Sequence, residues 1–118
     1  MLVLTEHQVE AIAGRQAHDL LVRVDRWLPE MLSGWGRMAP DHRRTTLREL
    51  FQAAEQHGWE IEVDVALFCW IMLCQGPDWR RLHGRADVQQ LLADPSWNPA
   101  SRLVALQDLA MPAGALRA

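Results

Sequence analysis

The chain has no lysine and no tyrosine, only two phenylalanines and only two cysteines in 118 residues. Without lysine there is no amine for Schiff-base or lysine-base chemistry. All 12 basic residues are arginines, the pattern a GC-rich genome produces, and their planar, weakly hydrated heads suit interfaces. Positive charge is scarce too: the net charge of −3 argues against a general nucleic-acid binder and against electrostatic binding to anionic lipid. Cys69 and Cys74 form no CxxC pair and no disulfide framework. Five residues apart, they stand about 140° apart around a helix axis. They read as small buried hydrophobes that resist thiol reagents, in a reduced cytoplasm. Long hydrophobic runs are absent as well. The ten apolar residues from Val65 to Cys74 fall short of the roughly 20 that span a bilayer. The opening MLVLTEHQVE lacks the basic region and apolar length of a signal peptide.

What is present reads as helix. Thr5 and Gln8 have capping-box spacing, and Val9, Ile12, Ala13, Leu20, Val24, Trp27 and Leu28 recur at helical steps until Pro29 kinks or stops the helix. SGWGRMAP, residues 33–40, is a loop. DHRRTTLRELFQAAEQHG is a second helix, with Pro40 and Asp41 at its start and Gly58 at its end. A third spans Glu62 to Gln75 and stops at Gly76-Pro77. RADVQQLLAD makes a short fourth. The fifth begins with Asn98 as cap and Pro99 at its first position. No segment alternates as a strand does. The fold class is therefore all-α: one domain over residues 1–111, a bundle of about five helices around a central apolar helix at about 62–75, with 112–118 a frayed tail.

The chain carries no recognisable catalyst. His7, His18, His42, His57 and His83 include no i, i+4 pair, and HExxH, CxxC and Asp-rich calcium loops are missing, so no metal and no cofactor is expected. Ser33, Ser96 and Ser101 lie in no GxSxG turn. Glu60, Glu62 and Asp64 suit the positive end of the third helix better than a general acid/base pair. A helix-turn-helix would need the second and third helices, but its recognition helix would be VDVALFCWIMLC, too apolar to read bases. Arg43, Arg44 and Arg48 then form a solvated face or an acidic-protein contact.

Tryptophan is over-represented: Trp27, Trp35, Trp59, Trp70, Trp79 and Trp97. Two readings stand side by side. The rings plug the corners of a small core, or they build a protein-binding surface, since Trp and Arg dominate interface hot spots. On the second reading the partner-binding residues are Trp35 and Arg37, then Trp79, Arg80 and Arg81, both groups read as loops, together with Trp97.

The layout LTEHQ, then AAEQHGWEIEVDVALFCWIMLCQGPDW, then VQQLLADPSWNPASRLVAL resembles small helical proteins encoded in bacterial type VI secretion clusters. The likeness runs through Gly58, Glu62, Asp64, Gly76, Leu91, Leu92 and Arg102 over residues 4–109. It implies a cytoplasmic, non-enzymatic accessory that binds an effector or its adaptor chaperone, with an exposed part of the third helix or its flanking loops completed by that partner. An immunity protein that blocks a cognate toxin and a self-associating homodimer are the alternatives.

Overall fold

The computed structural model describes the backbone over residues 6–111 and side chains over residues 18–111. Among the described residues it is all-helical: α1 (Glu6–Met31), a 3-10 turn (Trp35–Arg37), α2 (Pro40–Gln56), α3 (Glu62–Leu73), α4 (Trp79–His83), α5 (Ala86–Ala93) and α6 (Pro99–Ala110). The Thr5 capping box and the tail at 112–118 lie outside the described residues. No described helix is long and apolar enough to cross a membrane.

The helix ends follow from local chemistry. Pro29 has no N–H to offer the Asp25 carbonyl, and α1 ends at Met31, two residues later. Asn98 caps α6, its side-chain oxygen accepting from the Ser101 N–H at 2.8 Å, with Pro99 at the first position as expected. The end of α2 is a Schellman motif: the Trp59 N–H donates to the Ala54 carbonyl and the Gly58 N–H to the Glu55 carbonyl, both at 3.0 Å. That geometry needs the positive φ of 88° that Gly58 supplies. It also turns Trp59 directly into the core, where it is buried.

α3 packs against α1, α2, α4 and α6, burying Val65, Phe68, Cys69, Ile71, Met72 and Leu73. Each large side chain among them contributes about 1.5–3 kcal/mol by leaving water. The helix is central, but its enclosure is incomplete. Val63 is 63% exposed and Ile61, its N-cap, is 68% exposed, while Ala66, Leu67 and Trp70 are half-buried. In so short a bundle the neighbours run out before the apolar surface of α3 does. The helix also ends at Leu73, because Cys74 and Gly76 close its last turn onto the Ile71 and Leu73 carbonyls.

The cysteines differ accordingly. Cys69 is buried, and burial pushes its thiol far above the ordinary range; Cys74 is half-buried and raised by the same cause. Mass-spectrometric labelling of the native protein should modify Cys74 well before Cys69, whose reaction waits for unfolding. Equal rates would contradict the packing of α3.

Candidate functional site

The tryptophans expected at a partner surface divide by burial. Trp35 and Trp79 are 3% and 8% exposed, so both rings belong to the core; Trp97 is 40% exposed. The loop assignments are corrected too. Trp35 and the exposed Arg37 form the 3-10 turn, and Trp79, Arg80 and Arg81 open α4.

The physical reasons lie in their partners. Trp35 donates its Nε1–H to Asp25 Oδ1 at 2.8 Å. The same oxygen accepts from Arg43 Nε at 2.9 Å, and Arg43 also donates to the Met38 carbonyl at 2.6 Å. One carboxylate on α1 thus ties down the turn and the start of α2. Arg44 pairs with Asp41, so two arginines of the face at 43–48 are already engaged. Arg80 pairs with Glu49 of α2 at 3.0 Å and lies over the Trp79 ring, 5.5 Å from its centroid. Arg81 is exposed.

These residues do not converge. Trp35 lines one groove with Leu32, Met38 and Cys74, Trp79 and Arg80 line a second with His42 and Glu49, and Trp97 edges a third with Leu91, Ala105 and Leu109. A fourth, of about 380 Å³, contains none of them.

That fourth groove is the candidate site. Its walls are α1, through Arg23, Val24 and Trp27, and α3 with its cap, through Ile61, Glu62, Val63, Ala66 and Leu67. Six of its eight lining residues are apolar. The other two, Arg23 and Glu62, make a two-pronged ion pair, Nε to Oε1 at 2.6 Å and Nη2 to Oε2 at 3.1 Å. Both side chains are exposed, so the pair adds little to stability while presenting one charge of each sign beside the groove. No hydroxyl, imidazole or thiol side chain lines it. It offers dispersion, burial and two forked charges, which is binding chemistry.

Sequence reasoning missed Trp27, Ile61, Val63 and Leu67 as a surface. The available signal was the uniform apolarity of α3, which places apolar side chains on whichever face the bundle leaves open. It also missed a meeting of His57 and His83, whose Nε2 atoms lie 3.0 Å apart. No protein-family model matches the chain, and no curated protein or solved structure matches it either.

Proposed function

We propose that the chain is a non-enzymatic, cytoplasmic accessory protein that holds an amphipathic helix of a partner in the α1/α3 groove, and that the partner is a type VI secretion effector or its adaptor chaperone. The observation that carries the docking part is the exposure of Ile61 and Val63 beside a groove walled by Trp27, Ala66 and Leu67. Apolar side chains left open at the start of the most apolar helix gain burial when another molecule covers them. A helix laid between α1 and α3 supplies apolar anchors at i, i+3, i+4 and i+7. Acidic and basic residues flanking its stripe meet Arg23 and Glu62. The type VI part rests on the resemblance carried by Gly58, Glu62, Asp64, Gly76, Leu91, Leu92 and Arg102 and the helix lengths between them.

The test uses a double variant, Ile61→Asp with Val63→Asp. Aspartate at the N-cap and in the first turn of α3 favours the helix, so the fold is expected to keep its stability to within about 1 kcal/mol. The groove meanwhile gains two charges. In quantitative affinity capture from the native cytoplasm, an effector or adaptor should be enriched on the wild type and lost from the variant. Equal recovery on both, or recovery only of further copies of the chain, would overturn the reading.

A further inference from the structure

His57 closes α2 and His83 closes α4, and the two imidazoles meet Nε2 to Nε2 at 3.0 Å across 26 residues of sequence. Aromatic rings surround them. Trp59 lies edge-on to His57 at 5.9 Å between centroids, Trp79 lies 5.3 Å from His83, and Phe68 of α3 reaches both at 6.3 and 6.5 Å. Two nitrogens facing one another hold one proton between them. A neutral pair makes N–H···N, and a singly charged pair makes the stronger N–H⁺···N. A second proton leaves two N–H groups pointing at each other, with no acceptor and two positive charges at contact.

The surroundings oppose that second proton. From α6, Arg102 donates Nη1–H to the His57 carbonyl at 3.2 Å, which puts a fixed guanidinium charge beside the pair. From α5, the neutral Gln89 side chain donates to the His83 carbonyl. Arg80 of α4 is turned to Glu49 of α2. Among the described residues, no Asp or Glu forms an ion pair with either imidazole. Burial, then the His83 charge, then Arg102 hold His57 below the ordinary 6.5, and burial lowers His83. For a base with a lowered native pKa, the unfolded or opened state takes the proton first. Stability is therefore full above about pH 6.5 and declines as pH falls below it.

We propose that His57 and His83 form a proton-operated latch between the end of α2 and the end of α4, shut with no proton or one proton added and opened by the second. The element it releases has the right joints. α4 is five residues long, preceded by Gly76 at φ 128° and followed by Gly84. Opening it uncovers Trp79, which the shut form buries.

The latch is tested on the full chain by thermal unfolding and near-ultraviolet circular dichroism between about pH 7.5 and 5, for wild type and His83→Gln. Glutamine still offers His57 one hydrogen bond and takes no proton. The wild-type Tm should fall by roughly 5 °C or more over that range, with a change in the tryptophan signal, and the variant should lose less than half as much. Nitrogen-15 chemical shifts of the wild-type imidazoles provide a second measurement should the variant not fold. One of the pair is expected to take its proton well below the other and in step with the tryptophan change. Equal acid sensitivity of wild type and variant, or two imidazoles titrating together at the ordinary value with Trp79 undisturbed, would overturn the latch.

Discussion

Trp59→Ala is expected to lower stability by about 3–5 kcal/mol, read as a lower urea midpoint at an unchanged slope. Two side-chain roles are lost, while a backbone role is kept. The ring is buried against Phe68, with centroids 5.1 Å apart. Its Nε1–H donates to the Pro99 carbonyl at 3.0 Å, joining the end of α2 to the start of α6. Its position after Gly58 completes the Schellman closure of α2. The backbone bond survives the substitution; the ring packing and the bond to the Pro99 carbonyl do not, which leaves a cavity and an orphaned carbonyl. Trp97→Ala makes the contrast, because that ring is largely outside the core and its loss should cost under about 1 kcal/mol. Similar costs at the two positions would contradict the division of the tryptophans into core and surface.

Arg102→Ala should cost about 2–4 kcal/mol in the same assay, although the residue looks like an ordinary charged position on α6. Its guanidinium donates to three backbone carbonyls: His57 at the end of α2 (3.2 Å), Asp94 at the end of α5 (3.3 Å) and Trp97 in the following loop (3.2 Å). Helix-terminal carbonyls have no intrahelical partner, and here one side chain serves two helix ends and a turn. Its own Nε is buried without an acceptor among the described residues, a cost that holds the net gain below the sum of three charged bonds. Arg102→Lys should recover less than half of the loss, since an ammonium lacks the planar fork that reaches several acceptors at once. Full rescue by lysine would mean that charge alone, not the fork, holds these three segments.

The helices, and what stops them, were legible because they rest on local chemistry. Asn98-Pro99 begins α6, Pro40 begins α2 and Gly58 ends it, each through a backbone requirement within a few residues. α4 was not legible: Trp79–His83 is little more than one turn, too short to show a period. The tryptophans misled for a different reason. Trp beside Arg has the same look whether the pair faces a partner or, as with Trp79 and Arg80, the ring enters the core while the guanidinium crosses to Glu49. Spacing rules also find histidine pairs only within one helix, so His57 and His83, brought together by the packing of α4 on α2, left no sequence mark. The candidate site was half legible. A helix apolar on all sides signalled that some surface would stay open, but which face depended on where α1 and α6 stop covering it.

That open face carries the functional account, and it has a natural control. Val63 beside the groove and Val104 on α6 are exposed to nearly the same degree, 63% and 61%, so accessibility does not distinguish them. A photo-reactive benzoylphenylalanine placed at either position, followed by irradiation in the native cells and mass spectrometry, compares the two faces directly. The account predicts covalent capture of one effector or adaptor through position 63 and no specific product through position 104. Capture through 104 with none through 63, or only chain-to-chain products from 63, would contradict a partner-docking groove between α1 and α3.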